Sequence, residues 1–443
     1  MGVVTSSAYA LVSKVLAVRL KIGLPVLFKH GWAFFLICIG GLFAAVPPVM
    51  AQTKTPAGVC PSLAKGVWDK AKIDASKASL LTADSPLKPA LRALMDEAQA
   101  SVAIGPWSVT DKTSVPPSGN IHDYYSIGPY WWPDPKKLDG LPYIRRDGEV
   151  NPARNTAFYD SQAMGQMSKT VTTLALAGYF GDRSSYSERA ALLIRTWFTD
   201  PDTRMSPHLD YAQSIPGRTD GRGIGIIDTY RLVSVVDASL LLERAGVLNA
   251  DDMATLRRWF ADYALWMVRS ENGRDERMAR NNHGLYYDTQ LAVFATFAGD
   301  STVLPKILQG TVTQRIKSQI DIRGRMPHEL KRTRPFHYTG FSIQALIDLA
   351  ELGRCDDPPL YHATTKNGVG LTTAADFHAS YANRISAWPY AEIREPKLDL
   401  MFENLCRGAD AMKSDIQRNA LAILRPKYKN ARILLLTNGC MPG

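Results

Sequence analysis

The stretch RNNHGLYYDTQLAVFA, Arg280 to Ala295, carries two kinds of information. Its second half, Leu291 to Ala295, is apolar and reads as a core helix. Its first half holds two asparagines, a histidine and two tyrosines. On a 3.6-residue period His283, Tyr286 or Tyr287, and Gln290 share one face. An asparagine just before a helix accepts a bond from the first free backbone N–H groups. Capping accounts for one asparagine; the remaining polar residues need partners or a chemical task.

The same helical period extends outward from this segment. LKPALRALMDEAQASV, residues 87–102, places Leu87, Leu91, Leu94, Met95 and Ala98 on one stripe. Further helices are expected near 158–180, 186–199, 227–246, 250–270, 283–298, 302–321, 340–353, 372–386 and 406–424. These are about ten helices in antiparallel pairs, each with one apolar face to bury in a shared core. No series of alternating strands and no fixed-period repeat is visible, which argues against a solenoid. The expected class is all-α.

The first 51 residues contain no acid. Lys14, Arg19, Lys21 and Lys29 precede the apolar run Trp32 to Val46, and PPVMAQ offers a small-residue cleavage site after Ala51. This pattern reads as a secretory signal peptide over 1–51, with the run short for a membrane span. The remainder, 52–443, is expected to be one domain without stable membrane insertion. It keeps 48 of the 52 Lys+Arg against 42 Asp+Glu, a net charge of +6. That excludes a nucleic-acid coat or a disordered charged tail, and suits an acidic polymer as partner. Cys60, Cys355, Cys406 and Cys440 form no C-x-x-C pair and permit two disulfides in an oxidising compartment.

Three irregular inserts hold the unusual residues. The first, His122 to Pro152, packs Tyr124, Tyr125, Tyr130, Trp131 and Trp132 together and follows them with Tyr143, Arg145 and Arg146. Aromatic faces beside arginines suit a sugar acid, giving ring contact for the pyranose and a planar fork for its carboxylate. The same tryptophans would also serve as core beneath a buried loop. The second insert, Arg204 to Arg231, contains GRGIG but lacks Gly-x-Gly-x-x-Gly spacing, a Walker lysine and a preceding strand, so nucleotide binding is excluded. Its glycines let backbone pass close to a ligand or another loop, with Gln213, Arg218 and Arg222 as cleft candidates or as local structural partners. The third, Asp321 to Phe341, is basic and interleaves His328, His337, Phe336 and Tyr338.

No H-E-x-x-H, no other metal-ligand spacing and no G-x-S-x-G elbow occurs. Acid pairs leave a two-carboxylate glycoside hydrolase open. The distinctive clusters are Asn, His, Arg and Tyr, a set fitted to proton abstraction beside a carboxylate. In a uronate polymer, removal of the C5 proton and expulsion of O4 cleaves the chain and leaves a 4,5-double bond. Amide, imidazole and guanidinium groups stabilise the enolate-like state, and Tyr or His moves the protons.

The ordered motifs GPYWWPDP with GLPYIRRDG, LDYAQSIPG with GRGIGIIDT, NNHG, and ELKRTRPFHY resemble the bacterial alginate lyase family, in particular its periplasmic members with an α/α-toroid domain. They span roughly residues 122–341. The resemblance implies an (α/α) toroid, an incomplete barrel of antiparallel helix pairs with long cleft-lining loops. It also implies β-elimination of alginate or a related polyuronate such as glucuronan, with no cofactor and no obligatory metal. The family's catalytic Asn-His pair falls on Asn282 and His283 and its tyrosine on Tyr338. Asn282 would neutralise the substrate carboxylate; His283 would share that task or act as base. Tyr338 would be the general acid, and the base in a syn elimination. The family's arginine stands seven residues before the tyrosine, where this chain has Lys331; Arg332 is the expected arginine, with Arg334 closer still. Tyr130, Trp131, Trp132, Arg145, Arg146, Gln213, Arg218, Arg222, Tyr287 and His337 are the expected substrate-binding residues. The rivals are a hydrolase on a similar toroid and a non-catalytic polyuronate-binding protein of the envelope.

Overall fold

Apolar faces repeating at helical spacing produce a ring of paired helices in the computed structural model, which describes residues 66–355 and 358–440. The expected signal peptide and Cys60 lie outside these residues. The described helices are α1 Lys70–Ser79, α2 Lys88–Ser101, α3 Ser161–Gly181, α4 Ser184–Ile194, α5 Leu232–Arg244, α6 Ala250–Arg269, α7 Glu271–Met278 and α8 Asn282–Ala298. They continue with α9 Val303–Gly310, α10 Lys317–Gln319, α11 Pro327–Leu330, α12 Pro335–Leu352, α13 Leu371–Ala379, α14 Asp399–Met412, α15 Asp415–Leu424 and α16 Ile433–Leu436. Helix α3 packs on α5, α5 on α8, α8 on α12 and α12 on α14, forming an inner ring; α16 bridges α14 to α1 and α2. Outside it, α4 backs α3, α6 and α9 back α8, α13 backs α12, and α15 backs α14. The architecture is the expected all-α toroid.

The inner helices are buried on nearly every face, which is why α8 reads as apolar from Leu291 onward. Phe260 of α6 lies 4.9 Å from Phe294 and 5.4 Å from Phe297 of α8, ring centre to ring centre. All three are fully buried, and each such side chain contributes about 1.5–3 kcal/mol through removal from water. Asn281 caps α8 by accepting from the His283 N–H at 3.2 Å, and Gly299 ends it in the left-handed region at φ +99°.

The helix boundaries depart from expectation where local chemistry intervenes. The segment 406–424 is two helices, because Lys413 takes a left-handed conformation and Ser414 starts α15 by accepting from the Gln417 N–H. The segment 302–321 is broken after α9 by a wider π-type turn over Thr311–Ile316. Helix α12 starts five residues earlier than expected, since Pro335 is pre-set for the first helical position. The inserts also form strands: β1 Tyr125–Ile127 pairs parallel with β4 Tyr211–Ser214, and β2 Trp131–Trp132 pairs antiparallel with β3 Ile144–Arg145. Segments of two to four residues are too short to show alternation in sequence. Cys406 and Cys440 form a disulfide that ties the C-terminal turn to α14.

Candidate functional site

The three inserts and the first turns of α8 and α12 meet at one end of the inner ring. Pro335 fixes the start of α12, so Tyr338 emerges from its first turn with its side chain largely buried. Its hydroxyl contacts the Tyr130 hydroxyl at 2.5 Å and accepts from Arg332 Nη2 at 3.0 Å. The Arg332 guanidinium also lies over the Tyr338 ring, 3.9 Å from its centre. Of Lys331, Arg332 and Arg334, Arg332 is the one that reaches the tyrosine. Burial and the neighbouring Tyr130 push the Tyr338 phenol well above its ordinary value, against a smaller opposing effect of Arg332. It is therefore a neutral O–H donor at neutral pH.

Arg332 also donates to Asp147 from Nε at 3.2 Å and Nη2 at 3.1 Å. Asp147 follows the β2–β3 hairpin by two residues and takes a second arginine, Arg145, at 2.8 Å. Burial raises its carboxyl, but Arg332 and Arg145 outweigh this and hold it below the usual range. In the same hairpin Trp131 lies under the guanidinium groups of Arg218 and Arg222, 5.3 and 5.7 Å from the ring centre. Trp132 lies under Arg146 at 5.2 Å and donates from Nε1 to the Glu149 carbonyl.

Behind the tryptophans is a buried hub. Asp228 accepts from Tyr124, Ser126 and Gln213 at 3.0, 2.8 and 2.7 Å and pairs with Arg154 at 2.7 Å. Burial raises the Asp228 carboxyl, yet Arg154 and these donors keep it below its ordinary value. Gln213 takes a left-handed conformation, φ +49°, uncommon for a side chain of this kind. In that pose its carbonyl and its side-chain oxygen accept from Arg222 at 2.8 and 3.3 Å.

The third wall is the start of α8. His283 Nδ1 lies 2.8 Å from the Glu276 carboxylate of α7. With Nδ1 so engaged, Nε2 is the nitrogen left to accept a proton. Glu276 is 1% exposed. Asn282, also 1% exposed, donates its backbone N–H and its amide to the two oxygens of Glu329, at 2.6 and 2.8 Å. Glu329 is buried on α11, three residues before Arg332, and burial holds its carboxyl above the ordinary value despite both bonds.

Residues 108–388 match the sequence model of the Alginate lyase family, well over half of the chain. The chain belongs to the alginate lyase family. Its fold is similar to that of an alginate lyase from Bacteroides ovatus, with 37% identity and a TM-score of 0.79 over 84% of this chain and 98% of that one. An alginate lyase from Sphingomonas species A1 shares the fold at 14% identity, TM-score 0.51, over 80% of this chain and 90% of that one. A variant of the Sphingomonas enzyme complexed with tetrasaccharide aligns similarly, at 15% identity and TM-score 0.51, over 85% and 95% of the two chains. No curated protein matches the chain.

In this alginate lyase family member the sequence-selected residues differ in what they contact. Tyr130, Arg332 and Tyr338 contact one another, with Arg145 joined through Asp147; Trp131 gathers Arg218 and Arg222, which bonds Gln213; Trp132 and Arg146 pair beside them, and His283 rests on Glu276. Asn282 gives its backbone N–H and one of its two amide N–H groups to Glu329, which fixes the amide and leaves its second N–H open. Tyr287 is a correction: it is 2% exposed in the core, and its hydroxyl donates to the Met267 carbonyl. Gln290, on the same polar face, is buried and accepts from Thr229. His337 meets the Tyr338 ring edge-on at 5.4 Å, stacks on Phe341 and lines a separate cavity of about 390 Å³ with Arg334 and Tyr230. Burial and Arg334 push its pKa down to about 4, so it is neutral at neutral pH. A larger cavity of about 760 Å³ lies deeper within the inner ring, between Trp68, Tyr230, Tyr286, Gln344 and Arg407. None of the cluster's residues lines it. The residues not anticipated are Glu276, Glu329, Asp147 and Asp228, each an acid that holds a basic or amide side chain among those selected or beside them.

Proposed function

We propose that the protein is an exported lyase that cleaves alginate or a related polyuronate such as glucuronan by β-elimination. Family membership makes it a polysaccharide lyase acting on alginate-like polymers; the assignment of roles is the further step. The observation that carries it is the Tyr338 hydroxyl, held between Tyr130 and Arg332 as a buried neutral phenol. Such a group donates a proton to a leaving oxygen.

The steps balance without any other reactant. Nε2 of His283 takes the C5 proton, with Glu276 on Nδ1 stabilising the imidazolium that forms. The electron pair left at C5 spreads into the carboxylate as an enolate-like dianion. It returns to form the C4–C5 double bond as the C4–O4 bond breaks, and Tyr338 protonates O4. Arg332 then faces the phenolate, where its charge has the greatest effect. This sequence fits substrates whose C5 proton lies anti to O4. Where the two are syn, Tyr338 acts as the phenolate: its own proton passes first to solvent, Arg332 and the Tyr130 hydroxyl hold the charge, and the C5 proton it then takes is returned to O4 as the C4–O4 bond breaks.

The acids of the site do not favour hydrolysis. Asp147 is held by two arginines, Asp228 by Arg154, Glu276 by His283 and Glu329 by Asn282. A hydrolase needs two carboxylates free to face the glycosidic bond. The test is product mass on a defined uronate oligomer. Elimination gives one product lighter by one water than hydrolysis would, with a chain end that carries the double bond. Products that carry the full added water, and no unsaturated end, would sink the proposal.

A further inference from the structure

Arg222 is half-buried and forms no ion pair with any acid among the described residues. Its neighbours differ: Arg145 and Arg332 share Asp147, Arg154 holds Asp228, and Arg218 is exposed. The hydrogen bonds of Arg222 go only to the two neutral oxygens of Gln213, and its other donors remain open. The nearby acids are already committed, Asp228 to Arg154 and Glu276 to His283. Yet the group is not a solvated surface cation. It lies against Trp131 and close to Gly128, where an added Cβ would stand 2.7 Å from its Nη2 and 2.6 Å from the Trp131 ring. Gly128 is therefore required for the guanidinium to occupy this slot, and Gln213 adopts a left-handed backbone to hold it there.

We infer that Arg222 is the group that receives the carboxylate of the uronate losing its C5 proton. This deepens the lyase reading and rests on it. Burial lowers the Arg222 pKa to about 10 against the attraction of Asp228, which is the signature of a desolvated cation short of a counter-ion. The other candidates bring less free charge. Asn282 is neutral and has one amide N–H left beyond Glu329, His283 is paired with Glu276, and Arg332 has its charge matched by Asp147 and its Nη2 on Tyr338. Position also fits. Gly223, next in sequence, packs against Asp275 and Asn272 of α7, so Arg222 lies beside the helix whose Glu276 orients His283. C5 carries both the departing proton and the carboxylate, so the base and the carboxylate's cation must be neighbours. The planar fork matches a carboxylate edge-on, as Gln213 leaves one side of it open.

Arg222→Met keeps the apolar stem against Trp131 and removes the charge. The wild type is assayed first on polymannuronate, polyguluronate and glucuronan; inactivity on all three counts against the lyase reading itself and is thereby distinguished from a failure of the Arg222 assignment. On the polymer that is cleaved, the variant is expected to lose about 10²–10³-fold in kcat, because the cation's contact strengthens as charge moves into the carboxylate. KM should change less than the rate does, and the melting temperature should fall by only a few degrees, since two hydrogen bonds to Gln213 are lost but no ion pair is. A kcat within about threefold of wild type overturns the inference, since a lost donor of this kind costs far more. So does a rise in KM at unchanged kcat, which would place Arg222 on a neighbouring sugar. If Arg222→Met fails to fold, Arg222→Lys decides. A folded Lys variant slowed by tenfold or more supports the fork's role, and one with wild-type kcat refutes it.

Discussion

Replacing Tyr338 by Phe isolates the proton-donating step. The ring stays in place beneath the Arg332 guanidinium, and what disappears is one oxygen with its contacts to Tyr130 at 2.5 Å and Arg332 at 3.0 Å. Two hydrogen bonds at a net ~0.5–1.5 kcal/mol each put the stability cost at about 1–3 kcal/mol. Arg332 keeps both of its bonds to Asp147, so the loop that carries it should hold its shape. Activity should change far more than stability. A positioned acid contributes roughly 10²–10⁴-fold, or about 2.7–5.5 kcal/mol of barrier at 1.36 kcal/mol per tenfold. The assay is the ultraviolet absorbance of the unsaturated uronate for rate, with calorimetric titration of an oligouronate for affinity. The expected result is a loss of at least about a hundredfold in kcat with affinity nearly unchanged. Retention of kcat within about threefold would refute the role given to Tyr338, because no general acid that matters contributes so little.

Three further outcomes concern buried acids, two of them supporting the site. Glu276→Gln should lower kcat by roughly 10²–10⁴-fold with little change in KM, because the imidazolium formed at His283 loses its buried counter-charge; steady-state kinetics on the cleaved polymer check this. Glu329→Gln places an amide N–H₂ against the Asn282 amide or forfeits a bond, so the protein should lose about 1–3 kcal/mol of stability, seen as a lower denaturant midpoint. Asp237 is buried with Oδ1 accepting from the Trp68 N–H at 3.0 Å, and burial raises its pKa to about 8. Its folded value thus exceeds an unfolded value of about 3.9. Its contribution is complete below about pH 4 and is lost as pH rises toward 8, with a slope of at most ~1.4 kcal/mol per pH unit. Asp237→Asn should flatten stability across that window, and a midpoint that varies with pH as in the wild type would contradict this.

Much of the toroid is legible in the chain because inner helices such as α8 and α12 are apolar on nearly every side and announce themselves as helices. What sequence could not give was the detail of their ends. Lys413 in a left-handed turn, and the π-type turn after α9, depend on neighbours that pattern does not encode. The site shows the same division. NNHG and RTRPFHY name His283, Arg332 and Tyr338 through their resemblance to the family's motifs. The acids that hold them lie far off in sequence, Asp147 at 185 residues from Arg332 and Glu329 at 47 from Asn282, and carry no local mark. Glu276, seven residues before His283, was within reach of a helical reading but sits on a separate helix, α7, that sequence did not reveal. Tyr287 failed for a simpler reason: on a helix buried all round, the polar face of a period points into the core as readily as into a cleft.

The most direct measurement is ultraviolet absorbance of the purified protein with polymannuronate, polyguluronate and glucuronan in separate reactions. A rise on at least one polymer is the predicted result; it establishes elimination and names the substrate, and the stereochemistry of that polymer assigns the base to His283 or to Tyr338. New reducing ends without any rise in absorbance would contradict the lyase mechanism and return attention to the carboxylates.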